Sequence, residues 1–478
     1  MHFSLENGVM MNERELFDAL VSAPHEAAVS EVLERFDLVH LHEAWTPYGD
    51  NKSNYATVEN QQSSAVPALV EKITNGIDAI LERRCREEGI DPQSPEAPRS
   101  IPEAIQRFFP DRKHWDLQQN RRKQAAELQI VADGPKGNTS LLVYDNGVGQ
   151  HPEDFPETFM SLLRGNKNDV HFVQGRYNMG GAGAVAFCGR SRFQLVASRR
   201  FGGSKRVGFT LLRKHPLTEE EGHRWKSTWY EYLVIDGKVP CFETDEIDVG
   251  LDGRNFGSGS LLKLYSYQLP KGTQMIQRDL NLSLNQYLFQ PALPFLTVEK
   301  AERYPDNKAL VTTVDGLHRR LEENDETVED RFTLTSNTDK LGRLQVRVYV
   351  FKTRARGKDV KESKDYIRRE YLKTNMSVLF SVNGQVQGHY TTEFITRTLK
   401  MNLLRDYLLI HVDCSEIDTE VRNNLFMASR DRLKRGDDAQ ELRKQRRQAH
   451  ADEPRVDPAA EANLRSRRRP SRPPKQAQ

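Results

Sequence analysis

"EKITNGIDA", residues 71–79, decides the fold and lies inside a helix predicted over residues 63–89. Ser63 or Ser64 is the candidate cap of this helix, Pro67 lies in its first turn and Gly89 ends the pattern. An apolar stripe at helical spacing runs along one side and is formed by Leu69, Val70, Ile73, Ile77, Ile80 and Leu81. The stripe predicts that the helix packs on a core.

Three polar side chains of the same helix, Glu71, Asn75 and Asp78, follow the spacing i, i+4 and i+7. They therefore share one face beside the apolar stripe. A carboxylate there can polarise a water molecule, and an amide oxygen one turn away can bind Mg²⁺, which prefers oxygen ligands. For this helix taken alone, a solvated polar face is the favoured interpretation.

A second stretch, "LLVYDNGVGQ" at residues 141–150, ends a predicted strand with Asp145, Gly147 and Gly149. A carboxylate at a strand end can accept a hydrogen bond from an exocyclic amine, and glycines let a ligand approach the backbone closely. An isolated Asp-x-Gly-x-Gly is typical of a turn. A helix followed by mostly antiparallel strands predicts an α+β fold.

A glycine-rich stretch, "QGRYNMGGAGAVAF", occupies residues 174–187 and predicts the start of a helix. Bare amides at a helix start can cradle a phosphate, and Lys167 adds positive charge nearby. The stretch is not a P-loop, because no Gly-Lys-Ser/Thr follows, and it does not fit the dinucleotide-binding fingerprint. Further along, Ser260 follows a glycine at the start of another predicted strand, which alone is a weak signal.

The order of these four segments resembles the ATP-binding (Bergerat) fold of the GHKL superfamily, which includes gyrase B subunits, large heat-shock chaperones, histidine kinases, MutL proteins and MORC ATPases. The resemblance covers residues 45–270 and implies an α/β sandwich that binds ATP and Mg²⁺. It makes Glu71 the general base for hydrolysis, Asn75 the Mg²⁺ ligand and Asp145 the partner of the adenine amino group. The other nucleotide-binding positions that it implies are Asp78, Gly147, Gly149, Lys167, Gly180, Gly181, Ala182, Gly183 and Ser260.

Within that set the resemblance gives different roles to different residues. Residues 180–183 and Lys167 form the lid over the phosphates, Gly149 lies beside the adenine, and Asp78 supports the pocket. Ser260 stands where the family usually has Thr, in a water-mediated contact with the base. The lid sequence also departs from a simple Gly-x-Gly-x-Gly pattern.

Beyond residue 335, "QVRVYVFKT" (residues 345–353) predicts a strand. "VLFSVNGQVQGHYTTEFI" (residues 378–395) predicts a strand, a tight turn at Asn383 and Gly384, and a helix. This order is similar to the transducer domain of gyrase and MutL proteins. The segment "MASRDRL", residues 427–433, resembles the gyrase loop whose lysine reaches the γ-phosphate, which places Arg430 in that role. A guanidinium can grip phosphate oxygens in the same way, although a solvated arginine is the competing interpretation.

Length and composition bound the class of protein. The chain has 478 residues, 37% of them hydrophobic and 29% charged, which is typical of a globular protein with two or three domains. We expect no membrane segment and a cytoplasmic location, because no long apolar run and no signal peptide is evident. The four cysteines, Cys85, Cys188, Cys241 and Cys414, are widely spaced and predict buried thiols.

The C-terminal residues 441–478 contain eleven Lys or Arg and five Asp or Glu, a net charge of +6. Because the whole chain carries +2, residues 1–440 carry −4. The composition predicts a disordered basic tail, which either only solubilises the protein or contacts nucleic acid.

These features predict a helical N-terminal arm (1–44), a GHKL ATP-binding domain (45–270), a connecting segment (271–335), a transducer-like α/β domain (336–440) and the tail (441–478). The expected function is Mg²⁺-dependent ATP hydrolysis that drives a conformational clamp with an ATP-dependent homodimer. Its expected client is nucleic acid, in DNA maintenance or defence against foreign DNA such as antiviral defence. The alternatives are a chaperone-like ATPase that remodels proteins and, less favoured, a histidine kinase or a nucleotide sensor without hydrolysis.

One motif favours the kinase. "HEAWTP", residues 42–47, has the spacing of a kinase phosphoacceptor box around His42. A kinase needs a helical hairpin there, but only 23 residues separate Pro47 from Glu71 and they run into the ATPase helix. We therefore expect His42 to be structural, in an arm that packs on the nucleotide domain or on a partner protomer.

Overall fold

The computed structural model describes residues 12–162, 169–175, 182–338, 341–427 and 433–434. Within these ranges the chain has a mixed α+β fold, as predicted, and contains two β-sheets. Four predicted site residues lie outside the described ranges, namely Lys167, Gly180, Gly181 and Arg430, as does the basic tail. No helix among the described residues has both the length and the apolar character needed to cross a membrane.

The helices of the described residues are α1 (Glu13–Ser22), α2 (Glu26–Arg35), α3 (Tyr55–Glu59), α4 (Ala65–Glu87), α5 (Ile101–Phe108), α6 (Gln118–Ala125), α7 (Glu219–Arg224), α8 (Asn281–Tyr287), α9 (Gly316–Glu322), α10 (Val360–Glu370), α11 (Thr392–Arg397) and α12 (Thr419–Leu425). The strands of the first sheet are β1 (Trp45–Pro47), β2 (Leu128–Asp133), β3 (Ser140–Asp145), β4 (Gln194–Arg199), β5 (Arg206–Lys214), β6 (Tyr230–Leu233), β7 (Cys241–Glu243), β8 (Gly259–Leu264), β9 (Phe295–Glu299) and β10 (Val311–Val314). The strands of the second sheet are β11 (Val328–Thr338), β12 (Gly342–Phe351), β13 (Met376–Val382), β14 (Gln385–Thr391) and β15 (Leu408–Asp413).

The first sheet has the strand order β1-β6-β5-β4-β8-β3-β2-β9-β10, with β7 paired to β5. Its described strand pairs are antiparallel except for β2 and β9, which are parallel. The predicted long helix is present as α4, and the predicted strands that end at Asp145 and begin at Gly259 are present as β3 and β8. The mostly antiparallel character of this sheet therefore agrees with the sequence.

Helices cover both faces of the first sheet. On β3, Leu141 and Val143 belong to the core that contains the apolar stripe of α4. The alternate residues, Leu142 and Tyr144, belong to a second core that includes Leu16, Phe17, Leu20, Val29 and Leu33 of α1 and α2. Because neighbouring side chains of a strand point to opposite faces, β3 is buried between two helical layers. The N-terminal arm thus packs on its own chain's sheet.

Local structure differs from the prediction at three places. The helical spacing of Leu16, Leu20, Val29 and Leu33 predicts helix over residues 12–38, but the chain breaks at Pro24 into α1 and α2, with the His25 side chain capping α2. Pro47 and Gly49 predict an extended arm or loop over residues 47–62, yet this range contains α3. The small-residue run after Gly183 forms only a three-residue 3₁₀ helix at Val185–Phe187, because Cys188 pairs with Tyr267 in a β-bridge and ends it.

The second sheet has the order β11-β12-β15-β13-β14, in which β13 and β15 are parallel. Its hairpin turns at Asn383 and Gly384 with φ of 49° and 78°, a turn type that suits Asn-Gly. The strand β14 lies between that turn and α11, whereas the sequence predicted the helix directly. The first sheet also continues through β9 and β10 inside the expected connecting segment, and β11 spans the expected boundary at residue 335.

Candidate functional site

The long helix α4 brings Glu71 and Asn75 to one wall of a cavity of about 900 Å³, which we call the main cavity. Glu71 is 7% exposed, so its carboxylate lies within the folded chain and not on a solvated face. Asn75 is half-buried. The i, i+4 spacing therefore places a carboxylate and an amide side by side on the cavity wall.

Gly76, which the sequence analysis missed, allows α4 to approach the end of β3. A Cβ atom at this position would lie 2.7 Å from Leu128 Cδ1 and 3.2 Å from Asp145 Cβ. Glycine inside a helix costs about 1 kcal/mol relative to alanine, so a mid-helix glycine beside Asn75 is a signal of close packing. The close approach places Asn75 and Asp145 around one cavity.

The turn after β3 is fixed between α4 and β4. The Gly147 amide donates to Asp145 Oδ1 at 3.0 Å, and the Val148 amide donates to the Ala79 carbonyl of α4 at 3.0 Å. Gly149 has φ of 60°, and a Cβ there would lie 2.0 Å from the Arg199 carbonyl oxygen. Backbone packing thus accounts for both glycines of Asp-x-Gly-x-Gly, while Asp145 and Gly149 line the main cavity.

Ser260 lies directly across from Asp145 in the register of β3 and β8. The preceding Gly259 has φ of 91°, and a Cβ there would lie 1.9 Å from the Asp145 carbonyl oxygen. The Ser198 hydroxyl donates to the Gly259 carbonyl at 2.8 Å and lies 3.3 Å from Ser260 Oγ. The Gly-Ser pair is therefore part of the same cavity wall as the Asp145 turn.

Asp78 does not line the main cavity. Its carboxylate is fully buried and accepts hydrogen bonds from the backbone amides of Gln174 and Gly175, both at 2.9 Å. These amides immediately precede the undescribed residues 176–181. Asp78 thus holds the backbone at the start of the glycine-rich stretch that begins at Gln174.

The remaining predicted residues divide into two groups. Gly147, Ala182 and Gly183 are described but do not line the main cavity, although a Cβ at Gly183 would lie 3.1 Å from the side chain of Gln62, which does. Lys167, Gly180, Gly181 and Arg430 lie outside the described residues.

The second sheet closes part of the main cavity through its hairpin. Val382, Asn383 and Gln385 line the cavity, and Gln174 Nε2 donates to the Asn383 carbonyl at 2.8 Å. Gln174, where the glycine-rich stretch begins, is therefore held by Asp78 of α4 through its amide and by the second sheet through its side chain.

The C-terminal end of the described chain also reaches the main cavity. Arg422 of α12, Phe426, Met427 and Lys434 line it. Phe426 pairs with Leu433 in a β-bridge, so both ends of the segment that contains Arg430 lie at this cavity. The sequence analysis singled out Arg430 but missed Arg422 and Lys434.

Polar groups that the sequence analysis missed also face this region. Gln61 and Gln62 line the main cavity, and in the described part of the chain Oε1 of both residues and Nε2 of Gln61 are buried without a hydrogen-bond partner. Lys72 lines the cavity as well and is 4% exposed. Burial lowers the pKa of Lys72 to about 8, although the charge of Glu71 acts in the opposite direction. Buried polar groups of this kind favour a polar ligand.

A separate buried cluster, the Glu231 cluster, is formed by Glu231, Arg213, His215, Trp229 and Glu221. Glu231 accepts hydrogen bonds from Arg213 Nε at 2.7 Å and from Trp229 Nε1 at 3.1 Å, and it lies 3.0 Å from His215 Nδ1. His215 Nε2 lies 3.0 Å from Glu221. All of these polar groups have partners, so the cluster stabilises the sheet.

The "HEAWTP" segment lies beside the Glu231 cluster. His42 is in a short 3₁₀ turn, and Trp45 begins the edge strand β1. The Arg213 guanidinium lies 3.5 Å from the centre of the Trp45 ring, and the rings of His42 and His215 are 6.5 Å apart. The segment is thus an edge of the first sheet and not a helix of a phosphoacceptor hairpin.

No family model matches this chain, and a search of curated proteins also finds no match.

Proposed function

We propose that the chain is a Mg²⁺-dependent ATPase of the GHKL type, in which ATP binding and hydrolysis switch the conformation of two domains. The observation that carries this proposal is the convergence of Glu71, Asn75, Asp145, Gly149 and Ser260 on one cavity of about 900 Å³. These residues come from three separate segments of sequence. A solvated polar face on α4 and an ordinary turn after β3 would not require that convergence.

The proposed roles follow from the side chains. The Asp145 carboxylate accepts a hydrogen bond from the adenine amino group, with the Ser260 hydroxyl close by for a water-mediated contact. Glu71 takes a proton from the water that attacks the γ-phosphate. Lys72, Arg422 and Lys434, which line the same cavity, supply positive charge for the phosphates.

The residues present fit a Mg²⁺ ion that is bound mainly by phosphate and water. The Asn75 side chain supplies a neutral oxygen on the cavity wall beside Glu71. Among the described residues no group of three or more His, Cys, Asp or Glu could hold a metal by itself. Mg²⁺ usually takes one or two protein ligands together with the phosphates of its substrate, and it would neutralise phosphate charge.

We further propose that the second domain senses the nucleotide. The Asn383 hairpin lies on the cavity and is bound to Gln174, where the glycine-rich stretch begins. Arg430 belongs to a segment whose ends, Met427 and Lys434, both line the cavity, which supports a contact with the γ-phosphate. Closure of the lid on ATP would then shift the second domain and, as in the GHKL clamps, promote a homodimer.

Hydrolysis is tested with Glu71→Gln and the matched control Glu31→Gln, which changes an exposed glutamate of α2. The parent chain with Mg²⁺ should turn over ATP, and Glu71→Gln should reduce kcat by about 100-fold or more while still binding ATP, because only the base is lost. Glu31→Gln should match the parent. No turnover by the parent, or equal turnover by Glu71→Gln, would contradict the proposal.

We propose nucleic acid as the client, in DNA maintenance or defence, on the basis of the +6 charge of residues 441–478. Binding of DNA should weaken steeply with salt and should fall about tenfold or more when charges of this tail are removed, because phosphate contacts release counterions. Fluorescence anisotropy at several salt concentrations measures both effects. Salt-independent binding, or capture of polypeptides and not DNA by Glu71→Gln with ATP, would favour a chaperone-like client.

A further inference from the structure

A second cavity, of about 350 Å³, adjoins the Asp145 turn, and we call it the arginine cavity. Four arginines line it, together with Asn146, Ser258 and the loop after β4. The arginines are Arg83, Arg199, Arg200 and Arg254. Neither the motifs nor the proposed ATPase function uses these side chains.

The positive charge of the arginine cavity is only partly balanced. Arg83 pairs with Glu87 at 2.8 Å, but among the described residues Arg199, Arg200 and Arg254 have no carboxylate within ion-pair distance. All three donate to backbone carbonyls. Arg199 donates to the carbonyls of Thr244 and Asp245. Arg200 donates to that of Gly149, and Arg254 donates to that of Ala126. A carbonyl orients a guanidinium without neutralising it.

The acidic groups in the lining compensate little. Asp245 is 80% exposed and pairs with Lys205, while Glu246 accepts a hydrogen bond from Asn255 at 3.3 Å. Arg254 Nε is buried and has no hydrogen-bond partner in the described part of the chain. A buried guanidinium donor without a partner is costly, so the cavity favours an anion.

Neighbouring groups fix the arginines in place. The Arg83 guanidinium lies 4.3 Å from the centre of the Phe201 ring, and that of Arg254 lies 5.3 Å from the centre of the Tyr144 ring. Arg83 also donates to Ser258 Oγ at 3.0 Å. Preorganised guanidinium groups beside a hydroxyl and amides match the oxygens of a phosphate, which accept several hydrogen bonds in fork geometry.

We propose that the arginine cavity is a second anion site, separate from the ATP site, that binds a phosphate group through Arg199, Arg200 and Arg254. The phosphate comes either from a small molecule, as inorganic phosphate or a phosphate ester, or from the backbone of a nucleic acid.

The site shares a wall with the main cavity. Arg200 lines both cavities and donates to the Gly149 carbonyl at 3.0 Å, and Arg83 donates to the Asn146 carbonyl at 3.2 Å, next to Asp145. A phosphate that draws Arg200 toward itself competes with its bond to the Gly149 carbonyl and so shifts the turn that follows Asp145. Phosphate and nucleotide should therefore change each other's affinity by the same factor. This coupling rests on the proposed ATP site, but the existence of the anion site does not.

The test measures binding of inorganic phosphate and pyrophosphate by calorimetry to the full chain in an Arg422→Gln/Lys434→Gln background, which removes two of the positive charges that the proposed ATP site offers to phosphates. Saturable binding is expected, and Arg254→Gln and Arg199→Gln should each weaken it by about tenfold, the loss expected for one charged hydrogen bond. Arg405→Gln, an exposed arginine elsewhere, should leave it unchanged. Arg254→Lys keeps the charge without the fork and should bind with intermediate affinity, which separates loss of the site from misfolding.

A labelled single strand of about 12 nucleotides distinguishes the two sources of phosphate. Weakened strand binding in Arg199→Gln and Arg254→Gln, with no binding of inorganic phosphate, identifies a nucleic-acid backbone. Binding of inorganic phosphate that the same substitutions abolish identifies a small ligand. If neither probe responds to these substitutions more than to Arg405→Gln, the anion site is wrong, whatever the ATPase assays show.

Discussion

The Glu231 cluster and the wall of the main cavity formed by Gln61 and Gln62 both bury polar side chains, but they do so in opposite ways. In the Glu231 cluster Arg213, His215 and Trp229 all contact one carboxylate. Among the described residues the buried amide atoms of Gln61 and Gln62 have no such partners. A polar group costs least when it is bonded within the fold, so the Glu231 cluster stabilises the protein, whereas the unbonded amides of Gln61 and Gln62 suit the proposed nucleotide site.

The largest expected effect on stability comes from disrupting the Glu231 cluster. Glu231→Ala leaves Arg213, His215 and Trp229 Nε1 without their shared acceptor, and breaking a buried ion pair lowers the free energy of unfolding by about 3–5 kcal/mol. Urea unfolding followed by circular dichroism measures this loss. Glu31→Ala at an exposed site should change stability by less than about 0.5 kcal/mol. Equal stability of the two variants would show that the Glu231 cluster is not structural.

The next prediction compares Gln→Leu at a glutamine that is hydrogen-bonded within the fold with Gln→Leu at a glutamine on the wall of the main cavity. Gln129 is fully buried and exchanges three hydrogen bonds with Ala126 and Asp252, at 3.0, 2.9 and 2.8 Å. Gln129→Leu should therefore cost about 1–3 kcal/mol of stability, because buried backbone groups lose their partners. Gln61→Leu should leave stability unchanged or slightly higher.

The same two variants should differ in the opposite sense in their affinity for nucleotide. Gln61→Leu should weaken binding of Mg-ATP by about tenfold if the amide contacts the ligand, and Gln129→Leu should not change it. Calorimetric titration of both folded variants measures the difference. If Gln61→Leu destabilises the protein as much as Gln129→Leu does, the contrast between the two regions is wrong.

The smallest expected effect is a pH dependence of stability that arises from the Glu231 cluster. Burial alone would lower the pKa of His215, but hydrogen bonds to Glu231 and Glu221 outweigh burial and raise it. A histidine whose pKa rises on folding stabilises the protein fully below its unfolded pKa of about 6.5, and this contribution is lost as pH rises through the folded pKa. Stability of the parent should therefore decline as pH rises above about 6.5, and less so in His215→Gln. Thermal unfolding over this rise in pH measures it, and identical slopes would contradict the assignment.

The sequence predicted the elements whose periodicity is local and strong. The apolar stripe from Leu69 to Leu81 predicted α4, and Asp145 with its two following glycines predicted the turn after β3. It could not predict that a second wall of the main cavity comes from Asn383 and Lys434, because hydrophobic periodicity does not encode which distant segments meet. That depends on packing between the two sheets, which brings the hairpin to Gln174.

Tertiary contacts, which hydrophobic periodicity does not encode, also explain why the helix predicted after Gly183 is so short. The run after Gly183 has helical composition, yet the β-bridge from Cys188 to Tyr267 ends the helical turn after three residues. The cysteines were expected to be buried, which is correct for Cys85, Cys188 and Cys414, whereas Cys241 is half-buried on the short strand β7. After Gly183, a tertiary contact thus decided against local propensity.

The N-terminal arm has a consequence for how the protein can be divided. Because α1 and α2 cover one apolar face of the first sheet, Val131, Leu142 and Leu195 are buried beneath the arm's core and not on a surface. A fragment that begins at residue 45 would present this face to water, and exposed apolar sheet surfaces promote self-association. Residues 13–35, which form α1 and α2, are therefore part of the folding unit of the first sheet, and a recombinant fragment that contains this sheet should begin before α1.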